Sequence, residues 1–320
     1  MHRKPIVIIA GQAKSIFFEI FFKSLRKKKI ISPIILICCF NLFKINAKKN
    51  NFQNSFNLID KNFDNINFSE NSLNIIDIHY KKSSNKKVQL KYDNEYIVNC
   101  FKVGFKIIKS KITNKFLNGP INKEKFLNKK YLGITEYIAK IFDEKKTCML
   151  IYNKELSVCP VTTHLPIKLI SKTINKSLIF EKLKIIDGFF KENFKFKPKI
   201  AVTGMNPHCE SILKNNEDRK IVMPAIKLAK QNKISVYGPF PADTIFLKQN
   251  RQKFDVILGM YHDQVLTPIK TLFEYDAINI TMGLPFLRVS PDHGPNEKMI
   301  NKNLSNPQSL IRALEFLDKS

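Results

Sequence analysis

Three of the six histidines in this chain stand at equivalent places in the sequence pattern. His164, His208 and His262 each follow an apolar, strand-like segment directly or within a few residues. Because the carboxyl ends of parallel strands meet at one edge of a sheet, three imidazoles placed there can converge on one point. Three imidazoles that leave coordination positions open are typical of a catalytic divalent metal, although each histidine taken alone is more often a hydrogen-bonding residue. The shared placement therefore favours a metal site.

Further polar residues could serve the same chemistry. Asp243 follows a turn rich in Gly and Pro, and it could either orient a metal-bound imidazole or cap the next helix; both interpretations stay open. Lys270, Asn279 and Arg288 lie near strand-like or loop segments and could bind an anionic substrate. Arg288 is the most informative of these, because Arg is scarce in this chain and its planar group forks onto phosphate or carboxylate.

The elements that must position these residues form an α/β pattern. Apolar strand-like segments alternate with helical ones, which predicts mostly parallel sheets with flanking helices. The predicted strands are 5–10, 30–40, 157–163, 200–205, 234–237 and 256–260, and the predicted helices include 221–233 and 307–317. Residues 45–72 are rich in Asn, Lys and Ser without a clear period, so we predict long loops there.

Composition limits the classes of protein to which this chain can belong. Its 320 residues suffice for a full hydrophobic core, and its six cysteines contain no CxxC pair, which excludes zinc-finger and disulfide-framework folds. The apolar run 30–40 is too short to span a membrane, and 5–10 is too short for a signal peptide. We therefore expect a cytoplasmic protein with reduced cysteines, and the absence of a P-loop motif disfavours that class of nucleotide site.

The chain is strongly basic, with 54 Lys and Arg against 27 Asp and Glu and a formal net charge of +27. Such a charge suits anionic partners, namely nucleic acid, membrane surfaces or phosphorylated substrates. The basic residues are mostly Lys and are spread from Lys4 to Lys319, whereas a nucleic-acid binder concentrates them on one face with aromatic residues between them. We expect a phosphorylated small molecule, and neither nucleic acid nor a membrane, as the main partner.

Eight short motifs occur in an order that resembles one enzyme family. The motifs are Gly119–Lys123 (GPINK), Gly133–Tyr137 (GITEY), Val161–Pro166 (VTTHLP), Asn206–His208 (NPH), Gly238–Thr244 (GPFPADT), Met260–Gln264 (MYHDQ), Asn279–Pro285 (NITMGLP) and Asp292–Gly294 (DHG). On these motifs the chain resembles, from about Pro5 to its C-terminus, the 4-hydroxythreonine-4-phosphate dehydrogenases of vitamin B6 (pyridoxal phosphate) biosynthesis.

The resemblance implies a fold and an assembly. The fold is similar to that of the isocitrate and isopropylmalate dehydrogenases: two α/β domains with mostly parallel sheets, flanking helices and an active-site cleft between the domains. We expect the first domain at residues 1–115 plus 290–320 and the second, which carries the histidines, at 116–289. The implied assembly is a homodimer with the active site at the subunit interface.

The resemblance also implies roles for individual residues. The implied metal ligands are His164, His208 and His262, one of them reaching across from the partner subunit; the implied substrate contacts are Thr135, Lys270, Asn279 and Arg288; and His293 and Gly294 match the adenosine-side loop of the cofactor site. The implied metal is Zn, Mg, Co or Mn, and the implied cofactor is NAD or NADP.

The implied reaction is oxidation of the secondary alcohol of 4-phosphohydroxythreonine, followed by loss of carbon dioxide to give 3-amino-2-oxopropyl phosphate. A divalent metal chelated by the substrate lowers the pKa of the alcohol as a Lewis acid, and the nicotinamide accepts the hydride. Phosphate, carboxylate and pyrophosphate are all anions, which agrees with a basic chain.

The chain departs from the family pattern at a few positions. Ile134 stands where the family has a substrate-binding His, so one hydrogen-bonding group is lost. The turn 11–19 keeps only Gly11, Ile16 and Glu19 of the family's pattern and lacks its other glycines and its prolines, and 295–298 replaces a run of small residues. Two alternatives therefore stay open: a paralogous dehydrogenase that acts on another phosphorylated hydroxy acid, and a catalytically silent basic binding protein on the same scaffold.

Overall fold

The computed structural model describes residues 3–60, 69, 72–127, 131, 133–209 and 216–320. Its strands are β1 Ile6–Ile9, β2 Ile34–Cys38, β3 Phe56–Leu58, β4 Leu73–Asp77, β5 Lys115–Asn118, β6 Cys148–Tyr152, β7 Ser157–Thr162, β8 Ile200–Thr203, β9 Val236–Phe240, β10 Val256–Tyr261, β11 Ile278–Met282 and β12 Leu287–Pro291. Its helices are α1 Phe17–Lys27, α2 Phe40–Lys49, α3 Lys86–Lys109, α4 Lys123–Leu127, α5 Ile134–Ile141, α6 Ile167–Thr173, α7 Lys176–Phe194, α8 Met223–Gln231, α9 Ala242–Ile245, α10 Lys248–Arg251, α11 His262–Phe273 and α12 Gln308–Lys319. Within these described ranges, none of the helices has the length and apolarity needed to cross a membrane.

Residues 1–134 and 285–320 form the first of two compact units. Its strands are all parallel and lie in the order β3-β4-β2-β1-β5-β12. β1 is buried along its whole length between β2 and β5. A continuous apolar run such as Ile6–Ile9 is what a parallel strand requires when helices cover both faces of its sheet.

Phenylalanines fill the helix layer of the first unit. Phe17 and Phe21 of α1 stack with 5.4 Å between ring centroids, and Phe22 packs against Phe43 of α2 at 5.6 Å. Residues separated by four positions lie on one face of a helix, so this spacing directs the rings into the core. The abundance of Phe in this chain therefore serves core packing.

Residues 135–284 form the second unit. Its strands lie in the order β11-β6-β7-β10-β8-β9. β7, β10, β8 and β9 are parallel to one another, whereas β6 is antiparallel to both β11 and β7. A core cluster that includes Val158, Ala201, Ile257 and Val265 packs α11 against this sheet. The four parallel strands bring their carboxyl ends to one edge.

The predicted α/β class with mostly parallel strands is confirmed, and one local prediction is wrong. Residues 45–72 were expected to be loops, but α2 runs to Lys49 and residues 56–58 form β3. α2 buries only Phe43 and β3 is an exposed edge strand, so neither has a strong apolar period. Residues 61–68 and 70–71 of that region lie outside the described residues.

The division into units differs from the expected domain boundaries near 115 and 289. It falls at 134/135 and at 284/285. β5 pairs with β1 on one side and with β12 on the other, so residues 115–118 belong to the sheet of the first unit.

Candidate active site

The three strands that precede the histidines are neighbours in the second unit. β7, β10 and β8 are parallel and lie in that order, so their carboxyl ends share one edge of the sheet. His164 follows β7, His262 is the first residue of α11 directly after β10, and His208 lies in a short 3-10 helix after β8. All three imidazoles therefore start from the same edge.

Gln264 joins the ends of β8 and β10. Its Nε2 donates to the carbonyl of Gly204 at 2.8 Å, and its Oε1 accepts from the Thr203 hydroxyl at 2.8 Å and from the Met260 amide at 2.7 Å. An amide whose donor and acceptor atoms are both engaged restricts the backbone around it. Gln264 thus fixes the turn from β10 into α11, where His262 projects.

Thr162 makes the corresponding link between β7 and β10. Its hydroxyl donates to the carbonyl of Met260 at 2.8 Å, and Thr162 itself is buried. The strand end before His164 is therefore tied to the strand end before His262.

His164 and His262 face each other. Their ring centroids are 5.9 Å apart with an angle of 38° between the ring planes. The side chain of His262 is 34% exposed, and its Nδ1 lies 2.7 Å from Oδ1 of Asp263. A carboxylate on one ring nitrogen fixes the tautomer and leaves the other nitrogen, Nε2, as the one available to a ligand.

His208 makes a different contact. Its Nδ1 lies 3.7 Å from Oδ2 of Asp243, and its side chain is 73% exposed. Asp243 lies inside α9, whose N-cap is Pro241, so the capping role that the sequence left open is not the one observed. Asp243 instead lies near the imidazole, and its role in orienting a metal-bound imidazole stays a prediction.

The loop that carries His208 is shaped by an aspartate that the sequence analysis did not identify. Asp218 is fully buried, and its carboxylate accepts from the amides of Met205 at 2.6 Å and Asn206 at 3.0 Å and from the Asn206 side chain at 3.0 Å. Glu217 accepts from the same Asn206 side chain, which lowers its pKa. Spacing along the chain carries no signal for such a contact, because Asp218 lies 13 residues after Met205 and 12 after Asn206, and no helix or strand period joins them.

Two imidazoles of one chain fit a shared divalent metal. A metal about 2.1 Å from one nitrogen of each ring lies roughly 3 Å from each ring centre, so two ligands at a tetrahedral angle have centres about 5 Å apart. The distance between the His164 and His262 rings is close to this value. No group of three or more His, Cys, Asp or Glu side chains that could hold a metal occurs within the described part of this single chain. Among the described residues, His164 and His262 are the imidazoles whose rings face each other.

Two of the expected substrate contacts, Thr135 and Asn279, lie near each other in the second unit. They belong to α5 and β11, which are far apart in the sequence. Thr135 is in the first turn of α5, and its Oγ1 lies 3.3 Å from Oγ1 of Thr281 in β11. Asn279 precedes Thr281 on the same face of β11, and its Oδ1 is buried without a hydrogen-bond partner among the described residues. Thr281 was not assigned a role from the sequence.

Lys270 stands farther away from the histidines. It is exposed in the last turn of α11, two helical turns after His262 and therefore roughly 12 Å along the helix axis. A long flexible side chain with a single charge suits a peripheral anionic group better than a fixed bidentate contact.

Arg288 is buried in the first unit. Only 3% of the residue is exposed, and its Nε donates to Oδ1 of Asn118 at 2.8 Å. A buried cation needs hydrogen-bond partners, and Asn118, which the sequence analysis did not identify, orients this guanidinium. The Asn118 side chain in turn donates to the carbonyl of Gly119 at 3.0 Å.

The two residues expected on the cofactor side also lie in the first unit. His293 Nδ1 donates to the carbonyl of Gly294 at 3.0 Å. A Cβ placed on Gly294 would meet no atom within 4 Å, so packing within the protein does not require glycine there. Close approach of a bound ligand would be a reason for glycine at this position.

The two loops that depart from the family pattern contact each other. Gln12 Nε2 donates to Oε1 of Glu297 at 2.8 Å, and Lys125 Nζ lies 3.0 Å from the same oxygen. The amide of Ile16 donates to the carbonyl of Pro295 at 3.1 Å. Burial alone would raise the pKa of Glu297, but the hydrogen bonds from Gln12 and Lys125 and nearby lysine charges lower it. The two departures are therefore structurally coupled.

Ile134, the third departure, is the first residue of α5 and is only 5% exposed. The position next to Thr135 is thus filled by a packed hydrocarbon, which offers no hydrogen bond to a substrate.

Comparison with known proteins identifies the family. The model of the pyridoxal phosphate biosynthetic protein PdxA matches residues 19–317. The 4-hydroxythreonine-4-phosphate dehydrogenase of Sulfurihydrogenibium sp. is 36% identical over 249 residues, which cover 76% of this chain and 75% of that protein. The D-threonate 4-phosphate dehydrogenase of Pectobacterium atrosepticum is 30% identical over 320 residues and 98% of each chain.

A solved structure gives the same result. The crystal structure of 4-hydroxythreonine-4-phosphate dehydrogenase from Klebsiella pneumoniae superimposes with a TM-score of 0.81 at 27% sequence identity over 98% of each chain. The resemblance seen in the eight motifs is thereby confirmed. The chain belongs to the family of the pyridoxal phosphate biosynthetic protein PdxA and is a dehydrogenase.

Proposed function

We propose that this dehydrogenase oxidises 4-phosphohydroxythreonine with NAD and a divalent metal, and that the resulting β-keto acid loses carbon dioxide to give 3-amino-2-oxopropyl phosphate. The observation that carries the proposal is the facing pair of His164 and His262 at a shared strand edge in a PdxA-family chain. When bound, the metal would act as a Lewis acid at the substrate alcohol and the nicotinamide would accept the hydride.

The metal site is proposed to be completed by a second copy of the chain. His164 and His262 of one chain supply two ligands, and His208 faces Asp243 instead. The third imidazole of each site would then come from the partner in a homodimer. Asp263 and Asp243 would each hold the tautomer of the neighbouring imidazole.

The substrate is proposed to be bound through charges and hydrogen bonds. Arg288 supplies a buried guanidinium oriented by Asn118, and Lys270 supplies an exposed ammonium. Thr135 and Asn279 supply a hydroxyl and an amide for the polar groups of the substrate. The net charge of +27 attracts a substrate and a cofactor that are both anionic.

The proposed compartment is the cytoplasm. All six cysteines lie in the described part of the chain, and none forms a disulfide bond. Reduced cysteines in a chain of this size are typical of a reducing compartment.

The metal proposal is tested by equilibrium metal binding. We expect His164→Ala and His262→Ala to lose the bound divalent metal, because each removes one of the facing imidazoles. His79→Ala is the matched control, since His79 is an exposed histidine of the first unit and should leave the stoichiometry unchanged. Retention of the metal by either site variant, measured by elemental analysis after gel filtration, would contradict the assignment.

One relative favours a second candidate substrate. The D-threonate 4-phosphate dehydrogenase of Pectobacterium atrosepticum matches along 98% of each chain, and D-threonate 4-phosphate is another phosphorylated hydroxy acid. Ile134 marks the place where this chain would depart in substrate contacts. The values of kcat/KM for the two phosphorylated substrates, measured with NAD and with NADP, decide between the candidates.

The catalytically silent alternative has a separate test. A basic binding protein would hold nucleic acid without sequence preference, and its affinity would fall steeply as salt is raised. We expect instead metal-dependent turnover and weak nucleic-acid binding.

A further inference from the structure

Strand β11 has one apolar face and one polar face. Ile278, Ile280 and Met282 are buried and alternate with Asn279 and Thr281, and Thr281 is itself only 1% exposed. Successive side chains of a strand point to opposite faces, so Asn279 and Thr281 share the second face about 7 Å apart. Buried polar side chains are costly unless they are hydrogen-bonded, so this polar face indicates a binding role.

Thr281 reaches the expected substrate contact Thr135 directly. The two hydroxyl oxygens are 3.3 Å apart, although 146 residues separate them in sequence. A hydroxyl carries one proton and two lone pairs, so one of the two must donate and the other accept. In either direction the contact favours one χ1 rotamer of Thr135 and sets which way its hydroxyl points.

Asn279 places a buried hydrogen-bond acceptor on this face of β11. Its Oδ1 is buried and has no hydrogen-bond partner among the residues that the structure describes. A buried acceptor without a donor is unfavourable, and an N–H or O–H group of a bound molecule would remove that penalty. The alcohol or the ammonium of the proposed substrate offers such a donor.

We propose that Thr281 is a positioning residue that holds the Thr135 hydroxyl so that it acts together with Asn279 on the substrate. The inference rests on the proposed function in taking Thr135 and Asn279 as substrate contacts. Thr281 acts through Thr135, so it governs how well the substrate is bound and oriented and does not take part in the chemistry.

Kinetics of three variants test the proposal. Thr281→Val keeps the shape of the side chain and removes the hydroxyl, and it should raise KM for the phosphorylated substrate about tenfold with a smaller effect on kcat. Thr281→Ser keeps the hydroxyl and should restore KM, and KM for NAD should not change in either variant. Thr113→Val is the control for the loss of a buried threonine hydroxyl, because Thr113 donates to the Pro5 carbonyl in the first unit. An unchanged KM in Thr281→Val, or equal impairment in Thr281→Ser, would overturn the proposal.

A second readout does not need turnover. Scalar couplings of threonine methyl groups report χ1, and we expect one Thr135 rotamer in the wild-type protein and in Thr281→Ser but rotamer averaging in Thr281→Val. A single Thr135 rotamer in Thr281→Val would overturn the proposal whatever the kinetics show. If the wild-type enzyme oxidises neither phosphorylated substrate while Thr281 still fixes the Thr135 rotamer, the proposed function fails and the positioning role stands.

Discussion

At the scale of single residues, we expect Ile134 to bear most directly on activity. It is a buried residue at the start of α5, next to Thr135, at the position where the resemblance to the family implies a substrate-binding His. We predict that Ile134→His raises kcat/KM on 4-phosphohydroxythreonine about fivefold, since one hydrogen bond regained in the transition state is worth roughly 1 kcal/mol. Steady-state kinetics measure the change.

Ile134→Leu is the matched control for this prediction, because it keeps the hydrocarbon character and the volume of the site. The leucine variant should behave like the wild-type protein. If the histidine variant shows no gain on either phosphorylated substrate, position 134 does not limit the reaction, and the loss of the family's histidine is tolerated.

At the scale of elements, the close approach of two loops at the ends of β1 and β5 fixes the first unit. A Cβ on Gly119 would lie 2.4 Å from the carbonyl oxygen of Ala10 and 2.7 Å from the ring of Phe17. We predict that Gly119→Ala lowers the free energy of unfolding by about 2–3 kcal/mol, because backbone at this distance cannot yield without strain. Urea denaturation followed by circular dichroism gives the value.

Gly294→Ala provides the contrast within the same unit. Its Cβ would meet no protein atom, so stability should change by less than about 0.5 kcal/mol. If Gly294 lies against the cofactor, as its resemblance to the adenosine-side loop implies, KM for NAD should rise in this variant while the free energy of unfolding stays nearly unchanged. Unchanged KM for NAD would remove Gly294 from the cofactor site.

The sequence predicts best those strands whose apolar pattern lies within one short segment of the chain. β7 and β10 were expected at 157–163 and 256–260 and occur at 157–162 and 256–261, because each is a buried apolar run with polar residues after it. His164 and His262 face each other because they follow these two strands, which are parallel neighbours in the sheet.

Contacts between distant segments were not predictable from the sequence alone. Four features depend on residues from different segments of the chain. They are the antiparallel pairing of β6 with β11, the hydrogen bonds from Gln264 to the end of β8, the hydrogen bonds from Asp218 to the His208 loop, and the hydroxyl contact of Thr135 with Thr281. Neither periodicity nor a short motif specifies which polar groups meet across such separations. The same limitation applies to Asn118, which orients Arg288 from 170 residues away.

At the scale of the whole molecule, the C-terminal helix joins the N-terminal segments through carboxylates. Asp318 accepts from the amides of Ser32 at 2.7 Å and Ile31 at 3.1 Å and pairs with Arg3. Burial alone would raise the pKa of Asp318, but these hydrogen bonds and the charge of Arg3 lower it below its ordinary value. Glu315, between Lys28 and Arg312, has a lowered pKa for the same reasons.

Acid should therefore destabilise the protein through these groups. A carboxylate with a lowered pKa in the folded state contributes stability above its unfolded pKa of about 4, and this contribution is lost as the pH falls through the lower folded value. We predict that the free energy of unfolding falls steeply below about pH 4 and that Asp318→Asn weakens this dependence. Glu95→Gln, at an exposed pair with Lys91, should leave the pH profile unchanged, and a profile in Asp318→Asn identical to that of the wild-type protein would contradict the argument.

We propose that this basic PdxA-family chain is a metal-dependent dehydrogenase of 4-phosphohydroxythreonine. The most direct test is the formation of NADH, followed by absorbance, from the purified protein with 4-phosphohydroxythreonine, NAD and Mg, Mn, Co or Zn in turn. We predict turnover that requires the metal, stops when a chelator is added and is absent from His164→Ala and His262→Ala. No NADH formation from a protein that still binds a divalent metal would contradict the proposed substrate while leaving the metal site in place.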